Sequence, residues 1–138
     1  MIYKIKTKSN GSIEHYKTCL VAKGFTQEYR IDYEKTFAPV ARLTSVRSLL
    51  VVALVRGWTL FQMDVKNAFL NGDLTEKVYM KPHFYYLHPP GKVCKLRCAL
   101  YGLKQAPRAW FAKFSGTILQ HGFQFSPYNS ALFVHMTA

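Results

Sequence analysis

The sequence predicts an α+β fold, and three observations carry that reading. Two stretches hold apolar residues three and four positions apart, the signature of a helix with one buried stripe. Several shorter runs are rich in β-formers and are bounded by Gly, Pro, Asn or Ser. In chain order the segments read hairpin, helix, strand, short strand, strand, helix, strand, which suits a layered architecture with an antiparallel-leaning sheet. The 138 residues are 49% apolar and 15% aromatic, enough for one modest core and a single domain over residues 1–138.

Residues 3–25 open the chain as a β-hairpin. Tyr3, Ile5 and Thr7 alternate with Lys4, Lys6 and Lys8, and Asn10-Gly11 offers the pair of positive-φ residues of a type I′ turn. Residues 44–57 read as a helix with Thr44 as cap and Gly57 as left-handed terminator. Its stripe is Val46, Leu49, Leu50, Ala53 and Leu54; Val51, Val52 and Val55 lie off it, so burial on more than one side is expected. Strands are expected at residues 58–65, 76–81 and 92–98, with a proline-rich loop at 82–91. Pro107 suits the first turn of a second helix running to Gln120, with Trp110, Phe111, Phe114 and Ile118 as its stripe and Gly122 as its stop. Residues 130–136 form a last strand with no partner after it.

Lys and Arg number 19 against 7 Asp and Glu, a formal charge of +12, which favours a polyanionic partner. Lys4, Lys6, Lys8 and Lys17, followed by Lys23, make the first hairpin a basic arm. Three cysteines are too few for a disulfide framework and suit a reducing, intracellular compartment. The longest apolar run, residues 49–55, is seven residues and too short for a membrane span.

Asp64 closes the apolar run of residues 58–65 beside a turn. A strand end fixes a carboxylate and a turn leaves it accessible, as a metal ligand requires, although a turn-forming Asp satisfies the same pattern. A second constellation is residues 99–114. Gly102 permits close backbone approach, the following helix start favours an anion, and Lys104, Gln105 and Arg108 cluster there. The aromatics of that stretch also suit an ordinary core. His83, His88, Cys94 and Cys98 match no zinc spacing. On a regular strand the two thiols stand about 13 Å apart, too far for one ion.

Three stretches, "YKTCLVAKGFTQEYRIDYEKTFAPVARLTSVRSLL", "LFQMDVKNAFLNGDLTEKVYM" and "CKLRCALYGLKQAPRAWFAKF", resemble the reverse transcriptase domain of Ty1/copia-type LTR retrotransposon polyproteins, over nearly the whole chain and in order. The resemblance implies a partial fingers and palm with an incomplete palm sheet, in an RNA-directed DNA polymerase that uses Mg²⁺ and a template-primer of RNA or DNA. It assigns Asp64 as the first catalytic and metal-binding palm aspartate. It places Val65, Phe69, Tyr101, Gly102, Lys104 and Gln105 near nucleotide and template, with Phe69 beneath the incoming sugar. It gives Lys4, Lys6, Lys8, Lys17, Lys23 and Arg108 as contacts to the nucleic-acid backbone.

The resemblance also implies what is missing. The family's Tyr-x-Asp-Asp hairpin lies downstream of Ala138, as do thumb and RNase H regions, and the start of the fingers lies upstream of Met1. A fragment without the second carboxylate pair is expected to be inactive alone, either a nucleic-acid-binding remnant or a relic reading frame. Thr18-Cys19, Cys98 and Asn129 depart from the family's "YKARLVAKG", "LRRALYG" and "SPYDSALF". Arg→Cys and Asp→Asn are both products of C-to-T transition on one strand or the other, which suggests a decaying copy. Codons TGT or TGC are expected at Cys19 and Cys98, opposite CGT or CGC in sister copies; sequencing the locus checks this.

Overall fold

The computed structural model describes residues 1–82 and 86–136. It contains two helices and three two-stranded antiparallel sheets. The mixed α and β content and the antiparallel pairing are as expected, with the pairing divided among three separate ribbons.

Strands β1 (Ile2–Thr7) and β2 (Ile13–Cys19) form the first hairpin as expected. Its turn is different from the one expected. Of Asn10 and Gly11 only Gly11 has positive φ, at 82°. Gly11 N–H donates to the Lys8 carbonyl at 3.0 Å, and Lys8 N–H donates to Ser12 at 2.8 Å. That is a type I turn completed by a left-handed glycine. The Asn10 carboxamide oxygen accepts from Ser12 N–H at 3.0 Å, so Asn10 acts through its side chain and needs no left-handed backbone.

Helix α1 (Leu43–Arg56) ends at Gly57 with φ 63°, as expected. Trp58 N–H reaches the Ala53 carbonyl at 2.8 Å, closing a Schellman-type end. Thr44 does not cap it. Arg42 occupies that position in extended conformation, without a side-chain bond, and Thr44 lies inside the first turn. The expected burial on several sides is also corrected, since only Ala53 of this helix is buried. Leu54 is 82% exposed and Val55 78%.

Residues 58–65 form no strand, and Phe61 is 92% exposed. The apolar run satisfies β-preference, but a strand also needs a neighbour for its N–H and C=O groups, and no described residue supplies one. Strands β3 (Tyr79–Met80) and β4 (Cys94–Lys95) are shorter than the expected 76–81 and 92–98. The pairing continues irregularly beyond them, through Leu96 N–H to Val78 at 2.9 Å, Leu74 N–H to Arg97 at 3.0 Å and Ala99 N–H to Gly72 at 2.7 Å.

Helix α2 (Ala106–Gln120) carries Pro107 in its first turn, where a missing N–H costs nothing. Its aromatic stripe meets the last hairpin, in which β6 (Asn129–Val134) pairs with β5 (Gln124–Ser126), a strand the sequence did not announce. Phe114 sits edge-on to Phe133 with ring centres 5.8 Å apart. The core gathers where α2 begins, from Val78, Ala99, Leu100, Leu103, Ala106 and Ala109, with Phe69 and Leu96 packed on it.

Two backbone crossings fix that core. A Cβ on Gly24 would stand 1.8 Å from the Gly102 carbonyl oxygen, and one on Gly102 would stand 2.2 Å from the Ala22 oxygen. Ala22 N–H donates to the Tyr101 carbonyl at 2.7 Å in the same place. Gly102 also has φ 93°. Gly57→Ala meets no atom and is expected to cost about 1–2 kcal/mol for left-handed backbone alone. Gly102→Ala adds a clash with main chain and is expected to cost clearly more; urea midpoints of the two variants check the order.

Candidate active site

Asp64 is exposed and lies in the unpaired stretch after α1. The chain regains order at Asn67, which takes φ 54° and opens a 3-10 turn, Ala68–Asn71. Leu70 N–H donates to the Asn67 carbonyl at 2.9 Å there. Phe69 is half-buried, and its ring stands 4.9 Å from that of Tyr101. The fold therefore brings together two of the residues named for nucleotide and template. Val65, half-buried, belongs to the same approach to Phe69.

The three aspartates have different duties. The Asp32 carboxylate accepts from Glu28 N–H at 2.9 Å, and Asp73 pairs with Lys113 at 2.8 Å. Asp73 thereby holds the Lys113 ammonium above its ordinary pKa. That stabilisation is present below the ordinary lysine pKa and is lost as pH rises through the raised one. Asp64 alone has a carboxylate with no partner among the described residues. No group of three His, Cys, Asp or Glu among those residues could hold a metal ion. One carboxylate does not build a resident Mg²⁺ site, because that ion keeps its waters and is held by carboxylates together with substrate phosphates. His83, part of the zinc reading, lies outside the described residues. Cys19, Cys94 and Cys98 are free thiols, and no described helix is long and apolar enough to cross a membrane.

The loop from Tyr101 to Gln105 is built around polar cross-links to residues 27–35. Gln105 is fully buried. Its Nε2 donates to the Asp32 carbonyl at 3.1 Å, and its Oε1 accepts from Gln27 Nε2 at 3.0 Å. Gln27 Oε1 accepts Lys104 N–H at 2.9 Å. Lys104 Nζ reaches the Gln27 carbonyl at 3.1 Å and lies 4.9 Å from the centre of the Tyr33 ring. Arg108 donates through Nε to the Lys35 carbonyl at 2.9 Å and pairs with Glu76. Lys104, Gln105 and Arg108 thus all have intramolecular partners. Gln27, Tyr33 and Glu76 went unremarked in the sequence, where no local pattern marks a partner some 78 positions away.

On the basic arm, Lys4 stands directly across from Lys17, and Lys6 across from His15. These residues share one face, and Tyr3, Ile5 and Tyr16 occupy the other. Lys8 lies in the turn, and Lys23 is exposed just after β2. Like charges set opposite each other destabilise a ribbon unless an anion neutralises them.

The profile of the family described as reverse transcriptase (RNA-dependent DNA polymerase) matches residues 1–138. The chain is 50% identical over 135 residues to the retrovirus-related Pol polyprotein from transposon RE1 of Arabidopsis thaliana, and 48% identical to that from transposon RE2 of the same plant. Each alignment covers 96% of this chain. Identity is 44% over 82% of the chain to the Pol polyprotein from transposon TNT 1-94 of Nicotiana tabacum. The chain spans about 9% of the length of each of these polyproteins. No solved structure matches it.

Gln105→Leu removes both amide bonds and leaves Gln27 and the Asp32 carbonyl short of partners. It is expected to cost about 1–3 kcal/mol. A Gln27→Ala/Gln105→Ala double-mutant cycle, read by urea unfolding, is expected to show coupling of about 0.5–3 kcal/mol, as for any pair in direct contact.

Proposed function

This chain belongs to the reverse transcriptase (RNA-dependent DNA polymerase) family, and from that membership we propose that it is a partial fingers and palm of a copia-type enzyme. In this reading Asp64 is one ligand of a catalytic Mg²⁺, with the Val65 carbonyl beside it, in a polymerase whose other carboxylates lie outside this sequence. Phe69 and Tyr101 flank the nucleotide, while Gly102 serves the crossing with the Ala22 main chain. Lys104 and Gln105 act chiefly by holding that loop in place. The ring contact between Phe69 and Tyr101 carries the reading, because it ties the Asp64 segment to the Tyr101–Gln105 loop.

Asp64 would help hold Mg²⁺ only in an enzyme that supplies the remaining ligands, where the ion's contribution would be to activate a primer hydroxyl and neutralise phosphoryl charge. This chain's residues position and do not complete that chemistry. Of its three aspartates, two are already engaged by Glu28 N–H and Lys113. Catalytic units lose most of their rate when one member is missing, so this segment on its own is expected not to polymerise DNA.

A second reading is favoured by the register of the basic arm. With Lys4 facing Lys17, the arm is a preformed cationic face for a phosphate backbone, and the chain is a nucleic-acid-binding remnant. Arg108, also named for the backbone, is tied to Glu76. The four departures from the family strings support a relic frame as the source of such a remnant. Either role belongs inside the cell, in cytoplasm or nucleus.

Primer extension with Mg²⁺ is expected to give no product from this chain. Robust synthesis abolished by Asp64→Ala would overturn the fragment reading. Binding to a template-primer is expected to weaken as salt rises, with a shallower slope for Lys4→Gln/Lys17→Gln.

A further inference from the structure

A cavity of about 420 Å³ opens where the segment leading into α1 faces the turn between β5 and β6. Its lining includes Phe37, Arg42, Ser45, Tyr128, Asn129 and Ser130. None of these was singled out for nucleic-acid contact. Two of the lining side chains are aromatic and open to solvent: Tyr128 is 97% accessible and Phe37 79%.

The polar groups beside the rings are free to serve a ligand. Arg42 takes part in no ion pair among the described residues, which hold only His15–Glu14, Arg108–Glu76 and Lys113–Asp73. Asn129 commits its Oδ1 to Ala131 N–H at 3.0 Å, which leaves its NH₂ group as a donor. The first turn of α1 has no acidic residue to neutralise Arg42. The volume lies within the range of small-ligand sites. Exposed aromatic faces next to an unpaired guanidinium are the arrangement on which unpaired bases stack, with the cation serving the adjoining phosphate.

We propose that this cavity is a stacking subsite for one unpaired nucleobase of a single strand, with Tyr128 and Phe37 as platforms and Arg42 as the phosphate contact. The ligand class follows from the combination of features. An apolar peptide would leave Arg42 and the Asn129 amide unsatisfied, and a bare anion would make no use of the two rings. Duplex is excluded from such a pocket because its bases are already stacked on one another. The proposal rests on the nucleic-acid reading above and adds a base-dependent contact to the charge-dependent one of the arm.

The test compares two fluorescently labelled single strands of equal length and charge, oligothymidylate and an abasic strand, by anisotropy on the whole chain. Oligothymidylate is expected to bind about tenfold more tightly, the worth of one stacked base. Tyr128→Ala and Phe37→Ala are expected to erase that preference without altering the salt slope, while Tyr128→Phe keeps it. Both rings are solvent-exposed, so circular dichroism of the alanine variants should match that of the parent. Lys4→Gln/Lys17→Gln is expected to weaken both strands equally and keep the preference. Equal affinity of the parent for the two strands, or a preference that survives both alanine variants, overturns the subsite alone. Absence of affinity for either strand at low salt overturns the subsite and the nucleic-acid reading together.

Discussion

One buried carboxamide organises this molecule. Gln105 has no solvent exposure, and both ends of its amide are used, toward Gln27 and the Asp32 carbonyl. Burying a polar group without partners is costly, so the site is stable only while residues 27–32 lie against the start of α2. The glycine crossing at Gly24 and Gly102 sets how closely those chains approach, and the amide sets their register. Arg108 extends the same seam through Lys35 and Glu76. The small hydrophobic core of Ala99, Leu100, Leu103, Ala106 and Ala109 lies directly beneath it. Polar staples here do work that a larger apolar core would do elsewhere.

Away from the seam the molecule is thinly held. Helix α1 shows most of its leucines and valines to solvent, and the stretch bearing Asp64 has no strand partner among the described residues. The basic arm carries the opposed Lys4 and Lys17, neither of which enters an ion pair among the described residues. The Phe69–Tyr101 contact is where the loosely held Asp64 segment joins the stapled part, so the order of Asp64 is inherited through Phe69.

Local physics was readable and non-local pairing was not. Both helices were visible because apolar spacing, Pro107 and Gly57 act within a few residues of one another. The first hairpin was visible for the same reason, while its turn was misassigned because Asn10 can support two turn types and its side chain chose. Residues 58–65 have every local mark of a strand, and only a neighbour was lacking. Strand β5 was missed because three residues carry too little pattern. At the site, the cluster Lys104, Gln105 and Arg108 was legible as a group of polar residues at a helix start. Whether such a cluster faces a ligand or another part of the chain depends on Gln27, Asp32, Lys35 and Glu76, all distant in sequence. The family strings identified the chain where composition and spacing had reached only a basic α+β domain.

The Gln27–Gln105 bond also orders events in time. It joins positions 78 residues apart, so the loop it closes must be paid for in entropy before any of its contacts repay the cost. During synthesis the first hairpin can form as soon as it leaves the ribosome, because its pairing is local. Residues 22–35 cannot settle until Gly102, Gln105 and Arg108 have emerged. Residues 22–35 therefore wait on residues 102–108, and the exposed Phe25, Tyr29 and Ile31 among them are open to chaperones or to other chains throughout that interval.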